Sequence, residues 1–211
     1  MNAESDRRIG KNRIEALTDG VFATVMIVLV LNLTVPLMAT STPSVGIMSL
    51  LKDQLYFIFV YLHSFFFLSI VWIGHHIFFH FIKRIDRPLV LLNLLFLLFV
   101  GAIPFVAALH GLYFDQTSFL IYGFDIVAIL VVLIAIWRYS TANHRLVDED
   151  LKPELIRLEN RRLLFCTPFL IIAFALSFVS VYGVYLGHAV LISIGFYLLL
   201  ASPLDVYWSR S

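Results

Sequence analysis

The sequence predicts an all-α fold of six membrane-spanning helices. Three observations carry that reading. Of 211 residues, 61% belong to the set AVILMFWYC and only 14% are charged, against roughly 45–50% and about 25% in soluble domains. That leaves too little polar side chain to cover a soluble surface. Six stretches reach the ~20 mostly apolar residues that cross a hydrocarbon layer of about 30 Å as a helix. Alternation with a period of two, the mark of a membrane β-barrel, is absent.

The first span, 16–36, follows a polar segment, 1–15, that has no apolar core ahead of a small-residue cleavage site. It is therefore expected to stay in the protein rather than leave as a signal peptide. Pro36 to Pro43, with Thr and Ser between, punctuate its exit. The second span, 54–81, stops before Asp86-Arg87-Pro88, and the third, 88–112, before Asp115-Gln116-Thr117-Ser118. The fourth covers 118–138. A polar loop, 139–162, follows; Asp148-Glu149-Asp150 precede Pro153, and Leu151, Leu155 and Leu158 recur at helical spacing. Acids and a proline suit a first helical turn, so a short amphipathic helix on the membrane surface is expected there. The fifth and sixth spans, 163–184 and 188–208, are separated at Tyr185 to His188. The whole chain, 1–211, reads as one six-span unit.

The formal charge is only +1, which offers no excess for nucleic acid. Its distribution is lopsided. Arg7, Arg8, Lys11, Arg13, Lys83, Arg84, Arg87, Arg138, Arg145, Lys152, Arg157, Arg161, Arg162 and Arg210 fall on one side of the six spans, and Lys52 stands alone on the other. Basic residues flanking spans are retained in the cytoplasm, so both termini are expected there. The single cysteine, Cys166, excludes an intrachain disulfide and a cysteine metal cluster. No nucleotide loop, Gly-rich phosphate cradle or serine-hydrolase elbow is present, so neither an enzyme nor a cofactor is expected.

Polar groups inside spans are costly and point to function or to a partner. In the first span Thr18 and Asp19 lie near the basic end, and Thr24, Ile27, Val28 and Leu31 share one stripe. On pattern alone, ordinary helix packing accounts for such a stripe. In the second span Trp72, His76 and His80 share a face, with His75 about 100° away. Histidines four apart can hold zinc, but a third ligand and the His-Glu-x-x-His pattern are missing, so structural hydrogen bonding is the expectation. His76 is expected to donate to Asp19 or Thr18. Asn93, Asp125 and Asp205 are further polar groups within spans; His63 is expected to reach Asp125. Pro104 and Pro168 fall inside spans, where neighbours can satisfy the freed carbonyls.

Arg13, Leu17-Thr18-Asp19 and Gly20-Val21-Phe22-Ala23 resemble the first-span motif Arg-x-x-x-Phe-Ser-Asp of the bacterial branch of the transmembrane protein 175 family of potassium-permeable channels. Trp72-Ile73-Gly74-His75-His76, running into Lys83-Arg84-Ile85-Asp86-Arg87, is similar to its second-span motif. Leu92-Asn93-Leu94-Leu95 with Ile103-Pro104-Phe105 is similar in the third. The resemblance implies a homotetramer in the bacterial inner membrane, with four first spans around a potassium path and no Thr-Val-Gly-Tyr-Gly filter. That filter sequence is missing here. Carried over by position, the constriction falls on Thr24, the next layer on Ile27, and the outer layers on Val28 and Leu31. The hydroxyl and aliphatic types expected at the first two layers are exchanged, so either Thr24 or Ile27 forms the narrowest ring. Arg13, Thr18, Asp19, Trp72, His76 and Asn93 are expected to hold the first span in register. The partners implied are potassium ions, further copies of the chain and the lipid bilayer.

Three rival readings stay open. A proton-coupled secondary transporter should show an internal repeat or paired broken helices, and the sequence has neither. A proton channel belongs to the same structural class. A metalloenzyme built on His75, His76 and His80 would need a bound metal.

Overall fold

Helix boundaries in the computed structural model, which describes residues 10–33, 48, 51–52, 54–179, 182–200 and 204, follow the capping chemistry of the chain. The described residues hold six long helices: α1 (Lys11–Leu31), α2 (Leu55–Phe81), α3 (Arg87–Tyr113), α4 (Gln116–Thr141), α5 (Pro153–Ser177) and α6 (Gly183–Leu200). Asp86 caps α3 by accepting from the Leu89 amide at 3.0 Å, with Pro88 in the first turn where its missing N–H costs nothing. Between α3 and α4 the reversal is very short. Phe114 takes a left-handed conformation (φ 43°) and Asp115 starts the next helix, its carboxylate accepting from the Ser118 amide at 2.8 Å. The Asp115 amide in turn donates to the Ser118 hydroxyl at 3.1 Å, completing a reciprocal cap. The donated Ser118 amide holds the Asp115 carboxyl below its ordinary value.

Five of the six helices are long and apolar enough to cross a membrane; α5 is the exception, because Glu154, Arg157, Glu159, Arg161 and Arg162 occupy its first half. α1 packs against α2 and α3, α3 against α4, and α5 chiefly against α6, with α4 and α2 linking that last pair to the rest. The core of the bundle is aromatic and aliphatic, with Phe22, Phe78, Phe96, Phe119, Tyr122 and Trp137 all fully buried.

At the basic end the two long connections are stitched together. Ile82 and Val147 form an isolated antiparallel bridge, and the Lys83 and Arg84 amides both donate to the Leu146 carbonyl, at 2.8 and 3.1 Å. The Tyr139 hydroxyl donates to Asp86 at 2.6 Å, and Arg145 lies 3.5 Å from the same carboxylate while stacking over the Tyr139 ring.

Several expected boundaries are corrected. Helix α1 starts at Lys11 rather than at 16, because the polar lead-in is made of good helix formers tied by a Lys11–Glu15 pair at 3.7 Å. The amphipathic helix expected within 139–162 is not a separate element. It is the first half of α5, which runs unbroken from Pro153 to Ser177, since no residue between them before Pro168 interrupts the backbone. The break expected at Tyr185 to His188 lies inside α6; the chain reverses between Ser177 and Gly183. Gly183 packs directly on the Leu176 carbonyl there, a fit that a side chain would prevent. Arg7, Arg8, the Pro36 to Pro43 link, Pro203, Asp205 and Arg210 lie outside the described residues.

Candidate functional site

Helix α1 has two faces. Ile14, Thr18, Phe22, Val25 and Leu29 recur every three or four residues and are buried against α2 and α3. Opposite them, Thr24, Ile27, Val28 and Leu31 are exposed, Ile27 at 65% and Leu31 at 53%. The Thr24 hydroxyl donates to the Gly20 carbonyl one turn back, at 2.8 Å.

Polar contacts fix the rotation of α1 at both of its ends. Near the basic end the Trp72 indole N–H donates to Asp19 at 2.9 Å. Beside it, Asn93 donates from Nδ2 to the Thr18 hydroxyl at 3.1 Å and is paired through Oδ1 with His75 Nε2 at 2.9 Å. One amide thus joins three helices. The His75 ring is itself sandwiched between Phe79 and Phe96, with centroids 4.2 and 5.2 Å away. At the other end Asn32 donates to the Pro104 carbonyl at 2.9 Å. Thr18 and Asn32 are fourteen residues apart, about 21 Å along a helix, so α1 is held at two distant levels and its outer face is defined.

His75, not His76, enters the buried bonds; His76 lies on the exposed side of α2 with its ring 5.7 Å from Trp72. Trp72 donates to Asp19 and Asn93 donates to Thr18. Arg13 sits exposed in the first turn of α1 and its side chain makes no hydrogen bond or ion pair among the described residues. The expected pairing of His63 with Asp125 is not formed. His63 Nδ1 lies 3.1 Å from His188 Nδ1 and 3.3 Å from the Tyr122 hydroxyl, while Asp125 keeps one buried oxygen without a hydrogen-bond partner.

That histidine contact belongs to a chain the sequence did not reveal. Ser118, His110, His188 and His63 are linked in turn at 2.8, 2.8 and 3.1 Å, continuing to Tyr122 and Ser64. His188 uses different ring nitrogens toward His110 and His63, so the three rings form a relay of bonds rather than converging on one point. The chain ties α2, α3, α4 and α6 together at the end opposite the basic residues. A second hidden pair sits in α5: Glu159 and Arg162 are buried against each other, and Arg162 also donates to the Leu198 carbonyl of α6 at 2.6 Å.

A bundle of apolar helices whose first member is bolted to its neighbours on one side, and exposed along a threonine and aliphatic stripe on the other, fits a multi-pass membrane protein. The comparisons with known proteins specify which. Residues 13–104 match the family model described as endosomal/lysosomal potassium channel TMEM175. A potassium channel of Streptomyces collinus is 34% identical over 141 residues, 64% of this chain and 67% of the relative. One from Chamaesiphon minutus is 29% identical over 183 residues, 85% of this chain and 90% of the relative. The crystal structure of a lysosomal potassium-selective channel TMEM175 homolog from Chamaesiphon minutus superposes with a TM-score of 0.76 at 28% identity, covering 92% of this chain and 98% of that one. The chain belongs to the TMEM175 family of potassium channels.

Proposed function

We propose that four copies of this chain assemble with their α1 helices around a common axis and conduct potassium in preference to sodium. The basic end of the bundle faces the cytoplasm of a bacterial cell, as the fourteen-to-one distribution of Lys and Arg favours. The observation that carries the reading is the outward stripe of α1. Among the described residues each chain offers one helix with such a threonine and aliphatic stripe, which favours a path formed between chains.

Among the aliphatic residues of that stripe Ile27 is the most exposed, and a ring of its side chains makes the aliphatic constriction. Such a ring resists ions by denying them hydration water, and dewetting supplies a gate. Thr24, one turn toward the basic end, offers oxygens that partly replace the lost water, with Val28 and Leu31 lining the path on the other side. Potassium gives up its hydration shell more readily than sodium, which sets the direction of selectivity. Thr18, Asp19, Trp72, His75 and Asn93 keep α1 turned so that this stripe points inward.

The experiment is reconstitution into liposomes with reversal potentials measured under potassium and sodium gradients. Ile27→Ala is expected to raise conductance and reduce selectivity, and Thr24→Val to lower conductance. Unchanged conductance and selectivity in both variants would remove the stripe from the path. Saturable uptake without current would replace the channel with a proton-coupled transporter.

A further inference from the structure

We infer that the groove between α5 and α6 is a binding site for an anionic phospholipid of the leaflet at the basic end, the acyl chain lying in the groove and the headgroup phosphate held by Arg157 and Arg161.

The groove encloses about 460 Å³ and is lined by Phe165, Phe169, Leu186, Ala189, Ser193 and Tyr197 among others. That size falls within the roughly 300–1,000 Å³ of small-molecule sites. Its α5 wall extends from Phe165, one turn past Arg161, to Leu176 beside the reversal at the opposite end, about 16 Å at the helical rise, so an acyl chain entering from the basic end can lie along it. Its walls are almost wholly apolar, which suits a hydrocarbon chain and no polar ligand.

The charge above it selects the headgroup. Arg157, Arg161, Phe165 and Phe169 stand four residues apart along α5, so the two arginines continue toward the basic end the row that carries the aromatic rim of the groove. Both arginines are exposed, and neither forms an ion pair among the described residues. Arg162, next in sequence, turns inward and is consumed by Glu159 and the Leu198 carbonyl, which fixes the level of the interface. Glu154 lies beyond Arg157, one turn further from the groove. Basic residues at the mouth of an interhelical cleft recognise anionic lipid headgroups. Both the leaflet and the outward direction of this groove follow from the proposed assembly, in which α1 lines the axis and the α5–α6 pair lies at the rim.

Each arginine near a membrane surface favours an anionic over a zwitterionic headgroup by about fivefold, the equivalent of about 1 kcal/mol, so the two together give roughly 30-fold. The test is native mass spectrometry of the intact purified protein, incubated with equal amounts of palmitoyl-oleoyl phosphatidylglycerol and phosphatidylcholine. Wild type is expected to retain the glycerol lipid about 30-fold over the choline lipid. Arg157→Gln/Arg161→Gln is expected to retain the two equally. Ala189→Phe, which fills the groove and leaves both arginines in place, is expected to retain neither. Equal retention of the two lipids by the wild type overturns the proposal without recourse to any variant. So does a preference that survives the double substitution, or lipid retained by Ala189→Phe. Potassium flux is not read in this experiment, so failure of the pore assignment and failure of the lipid site are separately visible.

Discussion

Replacing Asn93 with leucine should unlatch α1 from the two helices behind it. Asn93 is buried, and among the described residues its amide is the sole side-chain partner of the Thr18 hydroxyl, at 3.1 Å, and of His75 Nε2, at 2.9 Å. Leucine keeps the same number of side-chain heavy atoms as asparagine and leaves no cavity, so the loss is mostly polar. On the His75 side a ring nitrogen stays buried without a partner, which costs roughly 1–3 kcal/mol. On the Thr18 side the cost is smaller, about 0.6 kcal/mol, because a threonine hydroxyl in a membrane helix can turn to the carbonyl four residues back. The sum is about 2–4 kcal/mol. The assay is reversible unfolding of the detergent-solubilised protein, with Thr18→Val and the double variant completing a cycle. A coupling of about 0.5–1 kcal/mol between the two positions is expected. A loss below about 0.5 kcal/mol for Asn93→Leu, or no coupling with Thr18→Val, would refute the view that this amide latches α1.

Three further outcomes are expected in the same unfolding assay. Arg162→Met removes the guanidinium that pairs with the buried Glu159 carboxylate and should cost about 3–5 kcal/mol, most of it recovered in Glu159→Leu/Arg162→Met. Gly187→Ala would bring a methyl group within 2.5 Å of the Phe119 ring and 2.9 Å of the Ala173 carbonyl oxygen, forcing α6 off α5 at about 1–3 kcal/mol. Asp115→Ala removes the reciprocal cap of α4 and should cost about 1 kcal/mol near neutral pH. Because the cap holds the Asp115 carboxyl below its unfolded value, its contribution is complete above about pH 4 and fades as pH falls through the lower, folded value. Melting curves of wild type and variant should therefore converge in acid.

The positions of the helices were largely legible because apolar length is a local property. The residues that form the polar contacts of α1 were also legible as types, since an Asp, an Asn or a Trp inside a span needs a partner. Which residue meets which was not. His75 and His76 share one depth and differ only by a rotation about α2, and that rotation is set by Phe79 and Phe96 stacking on His75. The same holds for α4, which turns Tyr122 rather than Asp125 toward His63. The relay through His110 and His188 had no local signal at all. His188 looked like loop polarity, but two histidines from two other helices satisfy it, and α6 runs straight through. Charge misled in α5, where Arg161 and Arg162 suggested an interface between elements and the backbone had no reason to stop.

The bond from Thr24 to its own helix has a consequence for the sign of charge it tolerates. A hydroxyl carries one proton and two lone pairs. In α1 the proton is committed to the Gly20 carbonyl, so the outward side of the oxygen is all acceptor. Four such oxygens facing a shared axis would present partial negative charge and no donor. Anions would find nothing to bind there, although no acidic side chain stands on the Thr24, Ile27, Val28 and Leu31 stripe. Cation preference would then arise from how a neutral side chain spends its single hydrogen.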